Sequence, residues 1–549
     1  MGRVGAYHAC MASLARPRIL LSSVFKPFAT DDEFGSRAIN PAELYHNQVT
    51  RAQGPFSLRM FHRSWGLMLM QRNISAPCTV LDFPTRERFI RELQRERYDM
   101  VGISGIVVNI GKVREMCRLV RQHSPHSTVV VGGHVTAIPD IEQQVDADHI
   151  VRGEGVRWLR EYAGENPDVP VCHPSIRSAF GFRIMGLPNG GGGSSATIIP
   201  SVGCPIGCNF CTTSAFFGGK GKSVRFLERG QDVFDAMCAA ERTLGVSSFF
   251  VMDENFLLYK RRALELLELM KAHRKAWAFY VFSSANAIRQ WDIVQLVELG
   301  IEWIWLGLEG EASGYTKLKG TDTLALTRDL QAHGICVLGS TIIGMEHHTP
   351  ENIDGHIAHA VAHDAAFHQF MLYTPMPGTE LYREMSAAGR LDAGADLADV
   401  HGQFGFNFRH AAISRAESKT FLDRAFLADF QANGPSLYRL THVMFDRWKR
   451  YRQHPDARVR ARLTSEAQQL RRGYGAAVWA MEKYFKESNQ AVSLRIRDLR
   501  LEMERELGGI TAAVNRTLGP VLLWSARRDA RRYPAGRLLE PRTFVERTA

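Results

Sequence analysis

The 549-residue chain carries two stretches in which short, continuously apolar runs alternate with helical patterns, and nothing else in it constrains the fold as tightly. In the first stretch the runs are residues 18–25, 79–83, 100–106, 129–133 and 149–153, with helical patterns at 85–97 and 111–123. In the second they are 197–201, 248–252, 278–282, 303–308, 337–343 and 369–373, with helices at 261–274, 291–299 and 323–333. A strand that is apolar along its whole length has both faces covered, so each stretch predicts a parallel sheet wrapped by helices. Such sheets take ligands beyond the C-terminal ends of their strands, and the residues just after each run are the ones to weigh.

At the ends of the first set stand Ser104-Gly105, Gly132-Gly133-His134 and Gly153-Glu154-Gly155. Glycine there lets a flat or bulky ligand reach the backbone, although tight turns ask for the same residue. The second set ends in Asp253-Glu254-Asn255, Ser283-Ser-Ala-Asn286 and Gly307-Leu-Glu309-Gly310. His347, His348 and His368 are expected near the same mouth as acid–base groups or ligand contacts, with structural roles as the alternative.

The first run of the second set leads into Cys204-Pro-Ile-Gly-Cys208-Asn-Phe-Cys211. Three thiolates so close in sequence can hold three irons of a cubane cluster and leave the fourth open for chemistry. Zinc needs a fourth ligand, and the nearest histidines, His173 and His273, carry no paired zinc spacing. A disulfide leaves one of the three unpaired. The other cysteines are scattered, which together with an exposed cluster points to a reducing cytoplasm.

This CxxxCxxC run, with the aromatic Phe210 before its last cysteine, resembles the signature of radical S-adenosylmethionine (radical SAM) enzymes. The resemblance implies a 4Fe-4S cluster on Cys204, Cys208 and Cys211 whose open iron chelates S-adenosylmethionine. It implies a six-fold (β/α) partial barrel, a 5′-deoxyadenosyl radical that abstracts a substrate hydrogen, and an electron donor such as flavodoxin or ferredoxin. It further implies S-adenosylmethionine contacts: Phe210 near the adenine, Asp253 and Glu254 beside the methionine amino group, Ser283 and Asn286 at the ribose, and Glu309 facing the cluster region. Val129-Val-Val-Gly-Gly-His-Val-Thr-Ala-Ile-Pro-Asp140, followed by Asp148-His-Ile-Val-Arg-Gly-Glu-Gly155, resembles the cobalamin-binding domain that precedes the barrel in one radical SAM subclass. Tyr373-Thr-Pro-Met-Pro-Gly378-Thr-Glu-Leu-Tyr382 resembles the barrel exit loop of that subclass. Ser104, Gly105, Gly132, Gly133, His134, Gly153, Glu154 and Gly155 are then the cobalamin-binding candidates. The chain has no Asp-x-His-x-x-Gly, so cobalamin is expected to bind without a lower-face histidine from the protein.

The division expected is α/β throughout the first three quarters. It comprises a disordered N-terminus (1–16), a Rossmann-like parallel-sheet domain of cobalamin type (17–185), a Gly-rich linker (186–195), the partial barrel (196–410) and a basic α-helical region (411–549). Helices are predicted there at 416–433, 437–453, 459–487 and 494–507. Residues 437–549 hold 24 Lys and Arg against 12 Asp and Glu, so the basic excess of the chain lies in its last fifth. Such a region either meets an anionic surface or is a solvated helical face. No aromatic-rich basic motif of the RNA-binding modules is present, which argues against nucleic acid. No apolar run reaches the roughly 18 residues of a membrane helix, which leaves peripheral membrane contact. The expected function is cobalamin-dependent methyl transfer to an unactivated carbon of a lipid or natural product. Its alternative is radical cyclisation, rearrangement or carbon–carbon bond formation without methyl transfer. A tRNA-modifying enzyme and a non-catalytic binding protein are the remoter readings.

Overall fold

A computed structural model describes residues 16–26, 33–34, 44–184, 187–188, 195–309, 314–315, 317–318, 320–534 and 539–548. The expectations for residues 1–15 and for most of the Gly-rich linker fall outside these described residues.

The first sheet comprises β1 (Ile19–Ser23), β2 (Cys78–Asp82), β3 (Met100–Ser104), β4 (Thr128–Gly132) and β5 (His149–Val151), all parallel, in the order β2-β1-β3-β4-β5. Every residue of β1 and β2 is buried, as an apolar run covered on both faces requires. Alternate side chains feed two cores. Leu20, Leu81, Val101 and Val129 pack with Val113 and Met116, while Leu21, Val80, Met100 and Val130 pack with Leu67 and Leu159.

The second sheet comprises β6 (Ile176–Arg177), β7 (Ser195–Ile198), β8 (Ser248–Val251), β9 (Ala278–Ser283), β10 (Ile301–Gly307), β11 (Cys336–Ile343) and β12 (Phe367–Leu372), paired in sequence order. Strands β7 to β12 are parallel, and β6 is an antiparallel edge. Among the described residues β6 and β12 do not pair, so the sheet is open. One face buries Phe249, Phe279, Val281 and Ile304. The other carries Phe250, Tyr280, Phe282, Trp303 and Trp305, the alternation that strands impose.

Val49, Phe56 and Leu58 lie in the core of the second sheet, and Gln369 Nε2 donates to Gln48 Oε1 at 2.9 Å. A segment from the first stretch thus contributes to the core of the second sheet.

The C-terminal part holds helices Arg415–Asn433, Ser436–Tyr451, Ala457–Gln469, Gly475–Phe485, Gln490–Leu507 and Gly509–Arg532. The single helix predicted over 459–487 is interrupted by a π-helical stretch, Leu470–Tyr474. Part of the basic excess of residues 437–549 is met by carboxylates elsewhere in the chain: Arg439 pairs with Asp429 at 2.7 Å and Arg447 with Glu302 at 3.5 Å, while Arg500 pairs with Glu504 inside that stretch at 2.9 Å. The region is not wholly helical, because β13 (Phe544–Arg547) pairs antiparallel with β2 at the edge of the first sheet. Arg547 donates to both oxygens of the buried Glu92, at 2.7 and 2.8 Å. Arg547→Ala leaves that carboxylate to Tyr98 alone. It is expected to lower the unfolding free energy in urea by about 1–2 kcal/mol, a modest value because the arginine is a third exposed.

Candidate functional site

Beyond β7 the chain enters the loop that carries the three cysteines. Gly207 has φ +68°, and a Cβ there would lie 2.5 Å from Lys220 Cα, so only glycine closes the loop. Cys211 caps the helix Thr212–Phe216, its Sγ accepting from Ser214 N at 3.5 Å, while Ser214 Oγ donates to Cys204 O at 2.7 Å. Burial pushes all three thiols up, Cys208 to about 11, and the Lys317 ammonium pulls Cys208 and Cys211 back. Cys204, Cys208 and Cys211 are all free thiols of intermediate exposure. Three free thiols on one loop leave one position of a tetrahedral zinc unfilled by cysteine, and they match the three protein ligands of a cubane cluster with one open metal.

Two carboxylates face the thiols. Glu254 raises Cys204 and Cys211, and Glu309 raises Cys208. Each has a buried Oε2 with no hydrogen-bond donor among the described residues, and burial pushes Glu254 up to about 7. Such an oxygen costs free energy until a donor arrives, and an ammonium group supplies one. The other oxygen of Glu309 holds Lys317 Nζ at 2.5 Å. Gly307 makes room for this pair, since a Cβ there would lie 2.5 Å from Lys317 Nζ and 2.9 Å from Glu309 Oε2. Phe210 joins them: Lys317 Nζ is 5.4 Å from its ring centre, and Tyr315 packs edge-on at 5.0 Å. Lys317 and Tyr315 belong to no motif, and their one sequence signal is closeness to Glu309.

Asp253 behaves differently from its neighbour. It pairs with Arg262 at 2.5 Å, the two side chains 1% and 3% exposed, and accepts from Ser201 Oγ at 2.7 Å and Asn255 N at 3.1 Å. It ties the end of β8 to the loop after β7, and of the two adjacent carboxylates only Glu254 has an oxygen to offer. Asn255, which the sequence placed at this strand end without a role, bonds Cys204 and accepts from Ser283 Oγ at 3.1 Å and Ser284 N at 3.0 Å. Ser284 Oγ donates to Asn286 Oδ1 at 2.6 Å, and Asn286 N donates to Lys317 O at 3.1 Å. A polar chain thus links Asn255, Ser283, Ser284, Asn286, Lys317 and Glu309 beside the thiol loop, with the Phe210 ring against Lys317 and Glu254 facing Cys204 and Cys211.

In the first sheet most candidates serve turns and caps. Ser104, Gly105 and Gly133 meet in a tight crossing, where Val135 N donates to Gly105 O at 3.0 Å. Glu154 caps the helix Gly155–Tyr162, accepting from the N–H groups of Val156 and Arg157, and Gly155 lies against Met70. Gly132 and Gly153 leave open surface, with no atom nearer than 3.9 Å to a Cβ built on either. His134 lines a cavity of about 560 Å³, together with Ile106 and Ala137 on one side and Phe216, Met376 and His401 on the other. Its ring packs on Phe216 at 4.4 Å, and burial pushes it down to about 4, so it is neutral. Phe216 ends the helix that Cys211 begins. The cavity and the thiols are therefore one short helix apart. Its largely apolar wall, beyond the C-terminal ends of parallel strands, fits the uncharged face of a large ring.

Two of the candidate histidines, His348 and His368, are engaged by the protein itself. His348 Nδ1 accepts from the N–H groups of Gly344 and Met345 at 3.0 and 3.3 Å, which leaves the ring proton on Nε2 and takes this residue out of metal ligation. His368 is not at the mouth. It is fully buried, stacked on Phe370 at 4.2 Å and 4.0 Å from Asp429 of the helix Arg415–Asn433.

Residues 69–163 match the B12-binding domain family, a segment that contains β2 to β5 and His134, and this supports cobalamin as a ligand. The chain is 23% identical over 326 residues to an uncharacterized methyltransferase of Pyrococcus horikoshii, covering 52% of this chain and 68% of that protein. It is 27% identical over 296 residues to the bacteriochlorophyllide d C-12(1)-methyltransferase of Chlorobaculum tepidum, covering 52% and 61%. It is 22% identical over 316 residues to the hopanoid C-3 methylase of Methylococcus capsulatus, covering 51% and 58%. The chain thus spans less than two thirds of the latter two. Kinship with proteins named as methyltransferases implies an enzyme.

Proposed function

We propose that the chain is a cobalamin-dependent radical SAM methyltransferase acting on an unactivated carbon of an apolar substrate. In this reading the second sheet is the six-fold partial barrel of radical SAM type. Cys204, Cys208 and Cys211 hold a 4Fe-4S cluster, and the cavity beside His134 takes cobalamin. The observation that carries it is the helix Thr212–Phe216, which starts on a thiol and ends on the cavity walled by the B12-matching segment. When bound, these groups supply the radical and methyl chemistry; an electron donor such as flavodoxin or ferredoxin completes the set. The chain itself positions and shields. Glu254 and Glu309 each aim a buried, unpartnered oxygen that suits the ammonium of S-adenosylmethionine. Phe210 borders the adenine, and Ser283 and Asn286 border the ribose.

The aromatic face of the second sheet, half-buried at Tyr280, Phe282, Trp303 and Trp305, supports an apolar substrate class. Phe250–Tyr280, Tyr280–Trp303 and Phe282–Trp305 stand 4.7, 5.5 and 4.9 Å apart, an aromatic wall that suits a lipid or polycyclic natural product and would keep water out. Relatives named for hopanoid and bacteriochlorophyllide methylation favour the same class. Anaerobic purification is expected to yield about four irons and four sulfides per chain together with a corrin spectrum. Label from methyl-labelled S-adenosylmethionine is expected in the product. Zinc in place of iron, or an unlabelled product, overturns the assignment. Trp305→Ala is expected to raise KM for the apolar substrate about tenfold with little change in kcat. A purely structural tryptophan would instead lower the melting temperature and leave KM alone.

A further inference from the structure

The helix Gly509–Arg532 is built inside out. Thr511, Asn515, Gly519, Ser525 and Ala526 are its buried residues, whereas Ile510, Leu518, Val521 and Trp524 stand 72%, 49%, 52% and 59% exposed. Gly519 lets the helix lie directly on Trp479, where a Cβ would come within 2.5 Å. At about 100° per residue, Ile510, Thr517, Val521 and Trp524 fall on one outward line, and Arg528 and Arg531 continue it. Arg528 sits over the Trp524 ring at 5.2 Å. Among the described residues none of Arg516, Arg527, Arg528, Arg531 and Arg532 has an ion-pair partner, unlike the internally paired arginines of the preceding helices.

We propose that this face docks on an anionic lipid bilayer, with Ile510, Val521 and Trp524 at the acyl boundary and the arginines among the phosphates. An exposed apolar line with cations on the same face needs a surface that is apolar and anionic in one plane, which a charged bilayer provides. A second copy of the chain meets it poorly, because this outward line carries no carboxylate to pair with the partner's arginines in either orientation. Nucleic acid would take the arginines and leave the tryptophan line in water. No helix of the described residues is long and apolar enough to cross a membrane, so the contact runs along the surface. The proposal stands apart from the methyltransferase assignment and holds for any substrate.

The test is co-sedimentation of the full chain with phosphatidylcholine vesicles, with and without about one quarter phosphatidylglycerol. Binding to the anionic vesicles is expected to be at least about tenfold stronger and to weaken with salt. A Val521→Glu/Trp524→Glu double variant, and separately an Arg527→Gln/Arg528→Gln/Arg531→Gln/Arg532→Gln variant, are each expected to lose about tenfold or more in binding while keeping the wild-type unfolding curve. Equal sedimentation by wild type and both folded variants overturns the proposal, as does no sedimentation at all. It is also overturned by a vesicle-free oligomer that Val521→Glu/Trp524→Glu dissolves, or by RNA binding that depends on the arginines alone.

Discussion

Replacing Cys208 with alanine is expected to abolish iron binding and turnover together while the chain stays folded. The loop around this thiol is held by contacts that need no metal. Gly207 closes it against Lys220, Asn209 O accepts from Leu381 N at 3.0 Å, and Tyr315 OH donates to Asn209 Oδ1 at 3.1 Å. The loss is therefore chemical, not conformational. After anaerobic reconstitution the variant is expected to fall from about four irons per chain to background, with no change in its far-ultraviolet circular dichroism. Cys78→Ala is the control, since that thiol is buried in β2 and is expected to affect stability and leave iron content intact. Full iron retention by Cys208→Ala would remove the cluster from this loop.

The adjacent Asp253 and Glu254 are expected to respond to mutation in opposite directions. Asp253→Ala leaves the Arg262 guanidinium buried without its counter-charge and is expected to cost about 3–5 kcal/mol in urea unfolding. Glu254→Gln removes a carboxyl that burial has pushed up to about 7 from an ordinary 4.5. A group whose pKa is raised on folding contributes its full stability below the unfolded value and loses it as pH rises through the folded one. Here that window runs from about 4.5 to about 7. Above it the ionised Glu254 burdens the ligand-free protein by about 3 kcal/mol. Glu254→Gln is thus expected to stabilise the ligand-free protein at pH 8, to be neutral at pH 4, and to weaken S-adenosylmethionine binding to the reconstituted protein. A variant neutral at both pH values would show that Glu254 carries no buried charge.

The eleven parallel strands were legible because each is a compact apolar run followed by glycine or a polar cluster, and their observed ends lie within three residues of the predicted ones. What escaped the sequence depends on contacts between distant residues. Val49, Phe56 and Leu58 show no helical or strand period, and Gly54-Pro55 between them reads as a turn, yet they fill the second core. Residues 509–532 fall in the expected helical region, but the bounds of this helix could not be read because Gly519-Pro520 looks like a break and its apolar residues lie on the wrong face. At the site, the strand-end rule found Asp253 and Glu254 together and could not tell them apart. Only the position of Arg262, one turn into the following helix, assigns one to structure and leaves the other to a ligand. Lys317 was invisible because a lysine on a loop carries no pattern until Glu309 is placed beside it.

The edge of β2 waits for a partner made about 460 residues later, when Phe544–Arg547 emerge. At ordinary synthesis rates of about 5–20 residues per second, that edge stands open for on the order of a minute. Through that interval its unpaired backbone is a template for any passing strand. The late strand thus acts in time as well as in space. A fragment ending before residue 539 would keep the edge open permanently, and a synthetic peptide of residues 539–548 would be the natural means of closing it in trans.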